Sequence, residues 1–215
     1  MKKDFLIFDV ETSDLYNKKL PAYHKDQAWI VQIAGVFTDS SLVEKGKFSL
    51  ILNPPHKEAK MSEGALSTHG ISMNRCKTEG ISQWKVHDVI KPVFFDRIRL
   101  VGHNLSFDSQ FLHRFAKSKE EHKSLVTAFQ TGICTMRGSI DFCKLPPTKS
   151  MLKAQAEGKK KWKNWHPIKY KAPKLEELYE ILFNEKMKGA HDAFVDVKAT
   201  LKSLRELVHL GVIKL

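Results

Sequence analysis

Asp9 and Glu11 stand two residues apart at the end of an apolar run, Asp4–Val10. In a strand that spacing points both carboxylates to one face. Side by side they repel, and the charged pair is costly unless a cation lies between them. All-oxygen donors favour hard ions such as Mg²⁺ or Mn²⁺. A second candidate is Asp108, in His103-Asn104-Leu105-Ser106-Phe107-Asp108. It follows a short apolar run and opens an amphipathic helix, near the strand ends where ligands of open α/β sheets gather. A third group, His191-Asp192-Ala193-Phe194-Val195-Asp196, begins the last helix. It offers Asp196, just off the apolar stripe, and His191, whose imidazole suits a general base near neutral pH. Taken singly, each has a plainer use. The Asp9-x-Glu11 pair can simply begin a turn, and Ser106 or Asp108 can serve a helix N-terminus, where acids are favoured. Asp192 can cap the last helix, and in a chain with ten histidines any one can be structural.

These residues need elements to position them. Asp4–Val10 reads as a buried strand; Trp29–Thr38, rich in Val and Ile, as a second; Leu42–Leu52 as a third, closed by Asn53-Pro54-Pro55. Three strands in quick succession predict an antiparallel meander. The pattern then turns helical around Ser62–Ser67 and over Ile81–Arg97, where Pro92 would cap, kink or split the helix. Arg99–Gly102 is a short strand leading into a helix with Phe107, Phe111, Leu112 and Phe115 along one face. Ile133–Cys143 reads as helical, and 144–173, mixing Pro, Lys and Gly, as a long excursion. Pro173 introduces a helix with Leu175, Leu178, Tyr179 and Leu182 facing inward. The last helix, about Ala193–Leu210, presents Val197, Leu201, Leu204 and Val208. The expected fold is α/β, one mixed sheet with helices packed on it, in a single domain over residues 1–215.

Composition narrows the partner. The chain has 215 residues, 42% hydrophobic and 28% charged, ordinary for a globular protein and against wholesale disorder. No apolar run approaches the roughly 18 residues that span a bilayer. The opening apolar stretch, Phe5–Phe8, is too short for a signal peptide, so a soluble, cytoplasmic protein with no membrane partner is expected. Cys76, Cys134 and Cys143 are unpatterned, which supports neither a zinc ribbon nor a disulfide framework. The net charge of +12 points to a polyanion. Most of it comes from residues 144–174, with ten lysines against one acid, Glu157. Lysines there would give salt-sensitive contacts to phosphates, and Trp162 or Trp165 could stack on unpaired bases or pack on the core.

Together, four acids and one histidine in this order resemble the DEDD exonuclease superfamily. More closely they resemble its histidine branch, which includes the proofreading epsilon subunits of bacterial DNA polymerase III. The matching stretches are FDVETSDL (Phe8–Leu15), HNLSFDSQFL (His103–Leu112) and AHDAFVD (Ala190–Asp196), with weaker echoes in THGI (Thr68–Ile71) and KLEELYEILF (Lys174–Phe183). The five-residue step from His191 to Asp196 fits the histidine branch; the tyrosine branch has Tyr four before the Asp, where this chain has Asp192. The resemblance implies a ribonuclease H-like sheet, antiparallel strands followed by parallel ones. It makes Asp9, Glu11, Asp108 and Asp196 holders of two divalent metal ions, Mg²⁺ or Mn²⁺, and His191 the base that deprotonates water. Thr12 and Leu15 would contact the terminal nucleotide, and His69, Asn104 and Phe107 would line the substrate groove. The implied activity is 3′→5′ exonucleolytic release of nucleoside 5′-monophosphates from single-stranded DNA, with a DNA polymerase as a candidate partner. An RNA-trimming member of the branch would share fold and metal site. A silent nucleic-acid- or polymerase-binding module would lack an acid or the histidine, and none is missing. Ser13-Asp14 departs from the usual Thr-Gly after the first motif, and Gln32 stands where many members carry Glu.

Overall fold

The computed structural model describes residues 4–22, 24–159 and 169–215. Its sheet is built from β1 (Phe5–Thr12), β2 (Ile30–Thr38), β3 (Glu44–Ile51), β4 (Arg99–Gly102) and β5 (Ile133–Cys134), in the order β3-β2-β1-β4-β5. β1 pairs antiparallel with β2, as does β2 with β3, so the meander is present; β4 and β5 extend the sheet in parallel beside β1. The expected mixed α/β architecture is the one observed.

Between β3 and β4 lie α1 (Glu63–His69), α2 (Met73–Glu79) and α3 (Lys85–Phe95). Ser62 and Ser72 cap the first two through side-chain oxygens that accept from Ala65 and Arg75 N–H. Pro92 sits inside α3 without ending it. α4 (Leu105–Leu112) and α5 (Lys119–Gln130) lead to β5, followed by α6 (Thr135–Gly138), α7 (Ile140–Cys143), α8 (Lys149–Lys159), α9 (Leu175–Phe183) and α10 (Ala193–His209).

Two expectations need correction. Ile133–Cys143 is helical only from Thr135, because Ile133 and Cys134 pair with Val101 and Gly102 at the sheet edge. The excursion at 144–173 contains α8: Ser150–Glu157 carries neither Gly nor Pro and consists largely of good helix formers, which the flanking prolines and lysines obscured. Trp162, Trp165, Lys160, Lys161 and Lys163 lie outside the described residues. No described helix is long and apolar enough to cross a membrane.

The strand alternation of β1 divides the core and aims the site. Leu6, Phe8 and Val10 face a layer made by α3, α4 and α5, with Ile90, Phe111 and Leu125 in its interior. Phe5 and Ile7 face the other way, onto Val197, Leu201, Leu204 and Leu207 of α10 and Leu178 of α9. Leu207, rather than the half-buried Val208, completes the buried stripe of α10. Asp9 and Glu11 continue the Phe5–Ile7 face past the end of that apolar layer, so period-two alternation directs both acids toward the start of α10.

Candidate metal centre

The first helical turn of α10 meets those acids. Asp192 caps the helix, its Oδ1 accepting from the N–H of Phe194 (3.0 Å) and Val195 (3.1 Å), as its plainer reading required. One turn further in, Asp196 turns toward β1. Asp9, Glu11 and Asp196 each offer a carboxylate oxygen, and these oxygens all lie within 4.8 Å of one another. His191, before the cap, adopts a left-handed backbone (φ 69°), which folds the chain back so that its N–H donates to Asp196 Oδ2 at 3.2 Å. Asp196 Oδ1 is buried and has no hydrogen-bond partner. An acceptor left bare beside two more acids is the donor set a hard cation requires.

Asp108 reaches the same place from the opposite layer. β4 stays paired with β1 only as far as Ile7 opposite Val101, which frees the N–H of Val10 on that edge. Asp108 Oδ1 accepts from it at 3.3 Å, so the carboxylate is pinned between Asp9 and Glu11 on the far side of the strand. It stands outside the three-oxygen group but within their field. Burial, then the charges of Asp108, Asp196, Glu11 and Asp192, push Asp9 well above the usual carboxylate range. Burial and the charges of Asp196 and Asp108 raise Glu11 to about 8. Burial raises Asp108 too, against the pull of the Val10 N–H. Burial raises Asp196 to about 6, with the His191 N–H opposing. Four acids each made harder to ionise at one point mark a site that lacks positive charge of its own.

Beside the acids runs a groove of about 440 Å³ between the end of β1, α1 and α4. Glu11, Thr12, Leu15, His69 and Phe107 line it. Thr12 Oγ1 donates to the carbonyl of Asp14 (2.9 Å), and Asp14 Oδ1 accepts from Leu15 N–H (2.8 Å); this turn leaves Leu15 76% exposed. Phe107 rests on Phe111, ring centroids 5.4 Å apart. His69 Nδ1 accepts from Ile71 N–H (3.0 Å), and burial lowers its pKa. Two sequence candidates stand apart from the groove wall. Asn104, in the left-handed region (φ 69°), opens α4 and accepts from Ser106 Oγ at 3.2 Å. The His191 ring is half exposed, its Nε2 3.8 Å from Glu176 Oε1, so here the backbone rather than the imidazole of His191 touches the acids.

Two supporting residues escaped the sequence reading. Gln32, opposite Glu11 in the β1–β2 register, is buried; its Nε2 donates to Asp192 Oδ2 and its Oε1 accepts from Ala193 N–H (3.2 Å). It ties β2 to the start of α10. A lone amide within WIVQIAGVFT was the signal, read only as a departure from Glu. Ser13, also buried, exchanges backbone bonds with Trp29 and Ser62 while its Oγ accepts from Trp29 N–H, so the departure after the first motif fastens the turn to β2 and to the cap of α1.

A sheet of this order with acids gathered at the carboxyl end of its central strand defines an α/β domain of the ribonuclease H-like, metal-binding kind. A family model described as Exonuclease (RNase_T) matches residues 6–204, and the chain belongs to that family, within the DEDD superfamily, whose members use two divalent metals. No curated protein sequence matches it. Among solved structures it is similar to E. coli exonuclease I. The zinc-bound complex of that enzyme with single-stranded DNA superposes with a TM-score of 0.60 at 17% identity, covering 98% of this chain and 41% of the other. The complex with a dA16 oligonucleotide gives 0.64 at 16%, covering 97% and 41%, and that with dT13 gives 0.63 at 18%, covering 98% and 43%. The chain therefore spans about two-fifths of the length of exonuclease I, and the likeness is one of fold.

Proposed function

We propose that this chain is a metal-dependent 3′→5′ exonuclease acting on single-stranded DNA ends. The observation that carries the reading is the convergence of Asp9, Glu11 and Asp196 oxygens within 4.8 Å. Asp9, Glu11 and Asp196, with Asp108 from the opposite layer, would hold two divalent ions, Mg²⁺ or Mn²⁺. When bound, such ions lower the pKa of the attacking water and offset the charge on the phosphate and leaving oxygen. The chain's own groups do the rest. His191, hinged on its left-handed backbone, takes the water proton on its imidazole. Thr12 and Leu15 meet the terminal nucleotide at the groove mouth, while Phe107 and His69 border its base and sugar; Asn104 sets the start of α4 so that Asp108 and Phe107 stand one on each side. The His191-to-Asp196 spacing supports the histidine branch, and a polymerase partner, as for epsilon subunits, is part of this reading. The single-stranded substrate accords with the DNA complexes of exonuclease I.

The test is a cleavage assay with 3′- and 5′-labelled strands, with and without chelator. The expected result is stepwise loss from the 3′ end as nucleoside 5′-monophosphates, abolished by chelation. Asp9→Ala is expected to abolish turnover while the fold and much of the strand binding persist. Near wild-type activity in that variant would contradict the ligand assignment.

A further inference from the structure

The groove beside the acids does not end at α1. It shares Asp14 and Ser62 with a second groove of about 450 Å³, floored by Trp29 and walled by Lys25, His56 and Lys60. That groove in turn shares Lys25 and His56 with a third, of about 470 Å³, bounded by Pro54, Trp84 and Arg114. The three grooves lie in series from the carboxylates to the start of α3, with the His56 Nε2–Lys25 carbonyl contact (2.8 Å) between the last two, and the far end has features the metal centre does not use. Trp84 is 60% exposed although it begins a helix that buries Val86 and His87 in its next turn. One edge contact, to Phe115 (centroids 6.4 Å, 89° between planes), fixes the ring. Lys117 Nζ stands 6.0 Å from its centroid. Arg114 lines the same groove; its Nη1 is buried without a hydrogen-bond partner, and burial lowers its pKa against the opposing pull of Tyr16.

We propose that an unpaired nucleic-acid strand, its 3′ end at Asp9, Glu11 and Asp196, follows this path and stacks a base on Trp84 while Arg114 and Lys117 hold its phosphates. The proposal rests on the exonuclease reading for its polarity. Charge favours it at the far end of the path. The middle groove carries three acids, Asp14, Asp26 and Glu58, against Lys25 and Lys60. The third has no acidic side chain in its lining. Glu121, four residues after Lys117, is engaged by His87 Nε2 (3.3 Å) and the Lys117 N–H. An exposed indole with Lys117 over its ring and Arg114 in the same groove suits stacking on unpaired bases, which is tolerant of sequence. A duplex offers no free base face, so the path selects single strands.

The test compares kcat/KM on a dodecamer and a dinucleotide of DNA. The dinucleotide occupies the carboxylate end alone, so the dodecamer's advantage reports the path. Trp84→Ala is expected to reduce that advantage roughly 5- to 160-fold, the range for loss of one base–aromatic stack. Lys117→Glu, at an exposed position, should reduce it as well and flatten its salt dependence; it carries the test if Trp84→Ala does not fold. Equal kcat/KM for both substrates in the wild type, or an undiminished advantage in the folded variants, overturns the path. If the wild type cleaves neither substrate, the exonuclease reading fails instead. The path is then decided by dodecamer affinity in EDTA, which Trp84→Ala must weaken.

Discussion

At the scale of the residue, the centre is a set of acids whose ordinary charge the fold opposes. Glu11 shows the conflict: it is buried on β1 among Asp196 and Asp108 and reaches about 8 before half its population ionises. The sign of the effect on stability follows. A carboxyl whose folded pKa lies above its unfolded value keeps a proton that the unfolded chain has released. Between roughly pH 4 and 8 the native state then binds more protons, and stability falls as pH rises. His69, His103 and His113, lowered by burial, act in the opposite direction below about pH 6.5. The acids are therefore read most cleanly between pH 6.5 and 8. In EDTA the melting temperature is expected to be lower at pH 8 than at pH 6.5. Mn²⁺ at about 100 times its dissociation constant should restore about 2.7 kcal/mol, or roughly 5–10 °C for a chain of this size, with the larger gain at pH 8. A metal-free melt that rises over this interval would contradict the assigned burial of Glu11.

At the scale of the element, the centre depends on how α10 is held against the sheet. Gln32 spans that junction with both ends of one amide. Gln32→Leu leaves the Ala193 N–H without its acceptor and removes the donor to Asp192. The expected cost is about 1–3 kcal/mol, seen in denaturant unfolding. Turnover should fall as well, because Asp196 rides on the same turn; unaltered stability and activity would show that Gln32 holds nothing. This is also where legibility in the sequence divides. Asp9 and Glu11 were legible because strand alternation fixes their face, and Arg99–Gly102 because a short apolar run before His103-Asn104 has few other uses. The start of α10 was legible because Asp192 is a strong cap. Opaque features depend on contacts far along the chain. Gln32 and Asp192 are 160 residues apart. The two residues of β5 are strand only because β4 lies beside them. Asp108 belonged to a recognisable motif, yet its approach from the other layer depends on where β4 parts from β1. α8 was hidden by its lysine and proline neighbours, and α5 by a polar surface over two buried residues, Leu125 and Ala128.

At the scale of the whole molecule, the proposed function sets two fields of opposite sign on one substrate. The acids would repel phosphate until cations fill the centre, while a net charge of +12 would draw a polyanion in from solution. Residues 144–174 supply most of the excess. Replacing Lys159, Lys160, Lys161 and Lys163 together is expected to weaken strand binding. The salt dependence should flatten too, its logarithmic slope shrinking by roughly 0.7 for each phosphate no longer neutralised; an unchanged slope would remove those lysines from the interface. The central claim, that acids from β1, α4 and α10 make one cradle for a pair of divalent ions, is tested most directly by calorimetric titration of the chelator-treated protein with Mn²⁺, beside Asp9→Ala and Asp196→Asn. The account predicts two ions per wild-type chain and loss of at least one in each folded variant. Absence of binding to the wild type, or full binding retained by both variants, would contradict it.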